Sequence, residues 1–405
     1  MNISKSKKWL LIISLMAVSI VEQATGATAS TTPLMAKSFP NISQANIQMV
    51  TTFGAIATTI FIFISGLIAN KFSQKRIAII GLIIAAIFSI VPAISKSYLV
   101  ILASRALMGV GVGLANPIAV ALLSEFFEGH ELDNLMGWRS SIASLGSSFI
   151  TMLAGLLMVS DWHNAYWAYL VFVPALLLLI FFVPNPEKEG LQARAEQAAK
   201  DKNQKVESKQ LPTHAELRVI LISLAMFIIM GTVMTIMLNL AVMYVQQGIG
   251  SPTDASTTLS IWSMTQVLGG IIFGWLYKHI GKYVFPLGVF VFGLTFAALA
   301  FVRNQPTIYA LMVLNGLIGG TAMPFMFTRI AELSNSKTNT FNNGLVLIGS
   351  NIASFLAPYF SMLLGQGSAR IAVQNAGFLS VILSVVILLV MYFAFKEKTQ
   401  IVKVN

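Results

Sequence analysis

The chain has 405 residues, of which 56 % are hydrophobic and only 10 % charged, with a net charge of +11. A soluble globular protein carries about 25 % charged residues, so this chain cannot cover itself with a water-compatible surface, and an ordinary cytosolic enzyme is excluded. There is no cysteine, which excludes disulfides, iron–sulfur clusters and thiolate metal sites.

A membrane-crossing helix needs about 20 apolar residues. Twelve such spans are predicted, over residues 9–31, 46–69, 76–96, 98–123, 137–159, 164–183, 217–245, 255–277, 283–302, 307–330, 343–365 and 371–395. The gaps between them are short except one. Residues 187–216 carry 12 charges in 30 positions and read as a solvated linker. It joins an N-terminal six-span half, 1–186, to a C-terminal one, 217–405. The first span also has the layout of a secretory leader: lysines, an apolar run from Trp9 to Val21, and Ala27-Thr28-Ala29 as a cleavage site. Cleavage would leave eleven spans and break the repeat described below, so the span is read as a membrane helix.

Loops rich in Lys and Arg stay cytoplasmic. With the N-terminus inside, 21 basic residues fall on the inner side and only Lys37, Lys96, Arg303 and Arg370 outside. Both termini and the linker are therefore expected in the cytoplasm. The excess positive charge reports orientation rather than nucleic-acid binding.

The two halves repeat. Gly66 and Gly274 are 208 residues apart, as are Ser43 and Ser251. Gly109, Gly113, Pro117 and Gly137 match Gly316, Gly320, Pro324 and Gly344 at an offset of 207. Six spans separate each pair, so the repeats keep the same topology. The expected fold is an all-α membrane protein of twelve helices in two six-helix bundles related by a parallel pseudo-two-fold axis, a transporter architecture.

On these features the chain resembles the major facilitator superfamily over nearly its whole length. The loop after segment 2 is similar to the family's Gly-x-x-x-Asp-Arg-x-Gly-Arg-Arg/Lys motif. Here it runs from Gly66 to Arg76, with Asn70 for the acid, Lys71 for the first Arg, and Lys75 and Arg76 as its basic tail. The segment-4 motif stands as Arg105 followed by Gly109, Gly111 and Gly113, and segment 5 lacks the Gly-Pro pair of many drug antiporters. The resemblance implies a secondary transporter working by alternating access, with Gly66, Asn70, Lys71, Lys75, Arg76, Gly109 and Gly113 in its conformational motifs. It also implies a role for Arg105 in proton handling.

Charge inside a span costs about 2.5–3.5 kcal/mol and marks function by default. Only Glu22 and Arg105 lie well inside spans. At 1.5 Å per residue they stand roughly 20 and 26 Å above the inner ends of segments 1 and 4, close enough to share a layer. A carboxyl whose proton affinity changes as an arginine moves is a proton switch; a fixed ion pair, or a wet and inert Glu22, are the other readings. Candidate substrate contacts are Gln23, Asn239, Trp262, Gln266, Asn315 and Asn351, polar or aromatic groups set among apolar ones. The alternative is that they hydrogen-bond helix to helix.

No phosphate-binding loop points to a primary pump, and the four histidines lie in loops or at span ends with no metal-ligand spacing. No enzyme activity, metal or cofactor is expected. The expected partners are a small organic substrate, protons and the lipid bilayer of the plasma membrane, with no nucleic acid and the chain a monomer. The leading functional reading is proton-coupled export of amphipathic organic compounds. The runner-up is an uptake permease for a small organic solute or anion, with Arg105 as the anion's partner.

Overall fold

The structure is a computed structural model that describes residues 5–69, 72–185, 215–334 and 339–401. No strand occurs among them. Segment 1 is not the continuous helix predicted over 9–31. It is α1, Lys5–Gln23, then two 3-10 turns at Ala24–Gly26 and Ala29–Thr31, then α2, Thr32–Ser38. The two parts are bent by 41°. The cause is local. Thr31 and Thr32 donate their hydroxyls to the carbonyls of Thr28 and Ala29, each at 2.7 Å, offering the backbone an alternative to the helix ladder. Pro33 then sits in the first turn of α2, where a missing N–H is harmless.

Segments 2 to 5 are single helices: α3, Gln44–Ile68; α4, Gln74–Ile94; α5, Tyr98–Phe126; and α6, Gly129–Leu157. Segment 6 opens with a 3-10 stretch, Trp162–Val171, and continues as α7, Phe172–Phe182. The C-terminal half holds α8, Ala215–Gln246; α9, Pro252–Ile280; α10, Val284–Leu299; α11, Gln305–Gly319; α12, Ala322–Leu333; α13, Asn339–Gly365; and α14, Ala369–Ile401. Segment 7 is α8, and α11 with α12 make a segment 10 interrupted at Gly320-Thr321.

Among the described residues, ten helical runs are long and apolar enough to cross a membrane, and the bent pair in segment 1 makes eleven. One run, Pro252–Leu299, is 48 residues long and is two crossings. Gly281 reverses the chain between α9 and α10 at a φ of 56°, a conformation that favours glycine. Trp262 meets Phe296 at 5.8 Å, while Tyr277 meets Phe325 edge-on at 6.1 Å and Phe285 stacks on it at 5.3 Å. Early α9 thus faces late α10, and late α9 faces early α10: the two are antiparallel. Twelve crossings result.

The sequence repeat is also a repeat of contacts. Ser43 caps α3 by accepting from Asn46 N, and Ser251 caps α9 in a full capping box with Asp254. A methyl group on Gly109 or Gly113 would run into the carbonyls of Gly54 and Thr58 on α3. On Gly316 or Gly320 it would meet the backbones of Trp262 and Gln266 on α9. Trp262 and Gln266 are Gly54 and Thr58 moved by 208. Small residues let these helix pairs touch backbone to backbone.

Candidate functional site

The bundles meet through segments 2 and 11 and through segments 5 and 8. At the end of the molecule away from the N-terminus this meeting is a seal. Ser148 donates to Ser260 O at 2.7 Å and Ser260 donates to Ser148 O at 3.1 Å. Nearer that end, Thr253 donates to Gly155 O at 2.8 Å. Between segments 2, 7 and 11, Gln48 Nε2 donates to Asn239 Oδ1 at 3.3 Å, and Asn239 Nδ2 donates to Ser361 Oγ at 2.6 Å and Thr235 O at 2.7 Å. Gln48 and Asn239 are both buried. A small cavity of about 180 Å³ lies beside this network, lined in part by Ser43, Gln48, Asn239 and Ser361.

At the other end, where the basic loops lie, the same helix faces stand open. Eighteen residues are five helical turns and return to one face about 27 Å along the axis. Gly155 and Ser256 touch across the bundles, yet Gly137 and Gly274, eighteen residues away on the same faces of α6 and α9, have nothing within 4 Å of a Cβ position. Gly66 lies eighteen residues from Gln48 on one face of α3, and it too meets nothing within 4 Å. Gly344 repeats this on α13, three turns before Phe355, which contacts Phe53 of α3. The bundles are therefore closed at one end and splayed at the basic end.

Arg105 is 2 % exposed. Its Nη2 donates to Thr25 O at 2.5 Å and to the Tyr169 hydroxyl at 3.3 Å, Nε to Val50 O at 3.2 Å, and Nη1 to Met108 Sδ at 2.9 Å. The guanidinium carbon also lies 5.3 Å from the centre of the Tyr169 ring and 5.8 Å from that of Tyr166. The carbonyls that end a helix lack intrahelical partners and attract a cation. The break after α1 supplies such carbonyls, and Arg105 and Tyr169 satisfy them. The arginine is thus within one helical turn of the Glu22 backbone, since Thr25 is three residues on. The side chains of Glu22 and Gln23 lie outside the description.

The other predicted site residues divide into three groups. Asn239 belongs to the seal. Trp262 and Asn315 are buried and spend their polar atoms inside the C-terminal bundle: Trp262 Nε1 donates to Asn315 Oδ1 at 2.7 Å, and Asn315 Nδ2 donates to Thr295 Oγ1 at 2.6 Å and Phe292 O at 3.2 Å. Gln266 and Asn351 are half-exposed. Among the motif residues, Asn70 and Lys71 lie outside the described residues. Lys75 donates to Ile180 O at 2.8 Å, near the end of α7, and Arg76 is exposed. Gln74, between Ser73 and Lys75, donates to Glu125 at 2.6 Å, and Glu131 pairs with Lys8 at 2.6 Å.

Arg139, one of the 21 inner-side basic residues, lies ten residues into α6, which begins at Gly129, and donates to Asn116 of α5 at 2.7 Å. Sequence reading missed Tyr169. Tyr169 stands in an apolar span whose spaced tyrosines, Tyr166 and Tyr169, were the available signal.

The Major Facilitator Superfamily model matches residues 11–240 and 222–404. The chain is 28 % identical over 155 residues to the Aspergillus fumigatus multidrug transporter mfsC, covering 36 % of this chain and 30 % of that protein. It is 27 % identical over 132 residues to multidrug resistance protein 3 of Bacillus subtilis, covering 32 % and 25 %. The chain therefore spans less than a third of the length of these relatives. Among solved structures, a peptide transporter POT superposes with a TM-score of 0.73 at 13 % identity, over 95 % of this chain and 94 % of that one. The E. coli xylose transporter XylE superposes with a TM-score of 0.71 at 13 % identity, over 94 % and 97 %.

Proposed function

The chain belongs to the Major Facilitator Superfamily, and within that family we propose that it exports amphipathic organic compounds in exchange for protons. The observation that carries this reading is the burial of Arg105 against the end of α1, within a turn of the Glu22 backbone. Glu22 is the proton-binding group on this reading, and Arg105 sets its proton affinity. The names of relatives as multidrug transporters support export. With the basic end in the cytoplasm of the cell, as the Lys and Arg asymmetry requires, the splayed side faces inward. A substrate then enters from the cytoplasm between the bundles and leaves when the seal opens. Half-exposed Gln266 and Asn351 are the substrate contacts most ready in this conformation, and Gln23 is proposed as a contact from the sequence alone.

Arg139 supports a second reading. A cation in the inner part of segment 5, bonded to Asn116, suits an organic anion taken up by a permease. One experiment separates the two. The purified protein in weakly buffered detergent solution is mixed with lipophilic cations and with organic anions while pH is recorded. The exporter releases a proton on binding an amphipath, and Glu22→Gln binds without release. Binding of an anion with no proton release, equal in wild type and Glu22→Gln, would remove the exporter reading.

A further inference from the structure

Tyr169 is fully buried. Its hydroxyl lies 3.1 Å from Ala24 O, 3.3 Å from Arg105 Nη2 and 3.4 Å from Thr28 Oγ1. A phenol has one proton to give and lone pairs to accept with. Here the proton goes to the Ala24 carbonyl and the guanidinium donates to the oxygen. One atom thus joins the broken backbone of segment 1 to the buried cation.

The stretch beyond that joint touches the other bundle. The 3-10 turn Ala29–Thr31 packs on segments 7 and 8, and α2 packs on segment 7. A Cβ on Gly26 would stand 3.5 Å from Met237 of segment 7. The described contacts of Arg105 itself are all within the N-terminal bundle. A link from Arg105 to the seal therefore needs an intermediate.

We propose that the Tyr169 hydroxyl is that intermediate: a positioning residue that fixes the broken part of segment 1 against segments 7 and 8 and so ties the Arg105 site to the seal. The connection to protons rests on the coupling role given above to Glu22 and Arg105; the connection to the seal does not.

The chain has no cysteine, so a single Ser148→Cys in the full-length protein reports on the seal. Ser148 is buried where segments 5 and 8 meet. Its maleimide labelling rate is measured in detergent, with no substrate and no gradient, beside the melting temperature. Tyr169→Phe keeps the ring under Arg105 and removes only the hydroxyl. It should keep the fold with a modest drop in melting temperature for the lost hydrogen bonds and raise labelling about tenfold, the equivalent of about 1.4 kcal/mol. Equal labelling rates with Tyr169 and Tyr169→Phe would overturn the proposal. If Tyr169→Phe does not fold, Arg105→Lys, which keeps the charge but loses the Nη2 donation, carries the same expectation and the same contrary result. Faster labelling in Tyr169→Phe, with no proton release by wild type, would uphold the positioning role and remove the proton reading alone.

Discussion

The two halves solve one packing problem and differ at one layer. In the N-terminal half segment 1 is broken and segment 4 is a continuous helix of 29 residues. In the C-terminal half segment 7 is continuous over 32 residues and segment 10 is the broken one. Position 105 is arginine in the first half, and its repeat partner is Met312, buried at 1 % exposure. A break leaves backbone groups that lipid cannot satisfy. Segment 1 meets the Thr28 and Ala29 carbonyls with its own threonines but turns to Tyr169 and Arg105 for Ala24 O and Thr25 O. Segment 10 needs less: Thr321 donates to Ile318 O at 2.7 Å and Gly320 N bonds Gly316 O at 2.9 Å. The charge is thus tied to the particular break that it caps, and the half with the self-satisfied break carries a neutral core.

Exchanging that layer should have the largest effect. Arg105→Met copies the C-terminal half and leaves the Thr25 and Val50 carbonyls without their donor. With charged hydrogen bonds worth about 1.5–3 kcal/mol each, the loss should exceed about 3 kcal/mol and lower the melting temperature of the purified protein. Met312→Arg does the converse. It buries a cation without prepared acceptors, at about 2.5–3.5 kcal/mol, and should reduce the amount of protein inserted in the membrane.

Next come the glycines that separate packed faces from open ones. Gly109→Ala drives a methyl group into the Gly54 carbonyl and should cost about 1–3 kcal/mol. Gly66→Ala and Gly137→Ala meet open space and should stay within about 0.5 kcal/mol. Thermal unfolding in detergent ranks them, and equal losses would contradict the splayed geometry. Gln48→Leu removes one bridge across the seal. At about 1 kcal/mol for a neutral hydrogen bond, it should raise labelling of Ser148→Cys roughly fivefold.

The smallest effect lies outside the membrane. Asp161 accepts from His163 N at 3.0 Å and from its Nδ1 at 2.7 Å. These bonds hold the carboxyl below its usual range. A lowered folded pKa gives stability that is present above the ordinary carboxylate value and lost as pH falls through the lowered one. Asp161→Asn should flatten the acid limb of the melting curve below about pH 4, by less than about 1 kcal/mol.

Much of this was legible in the sequence. Hydropathy alone locates all twelve crossings, and the glycine offsets of 207 and 208 reappear as matching contacts. The break in segment 1 was hidden because threonine, serine and glycine dilute an apolar run without ending it. Hydropathy placed the start of segment 5 at 137, whereas α6 begins at Gly129: a polar helical extension has no hydrophobic signature. The bond from Trp262 to Asn315 could not be read at all. It spans 53 residues between helices whose mutual rotation is set only by packing. Helix rise could set Arg105 and Glu22 at similar depths, but it gave no sign of Tyr169.

The most direct measurement is flux in proteoliposomes under an imposed pH gradient, with cationic dyes and organic anions as cargo. Wild type, Glu22→Gln and Asn315→Leu are run together. Proton exchange in the N-terminal half predicts gradient-driven dye movement in wild type, its loss in Glu22→Gln, and slower but still gradient-driven movement in Asn315→Leu. Gradient-independent anion movement, undiminished in Glu22→Gln, would contradict it.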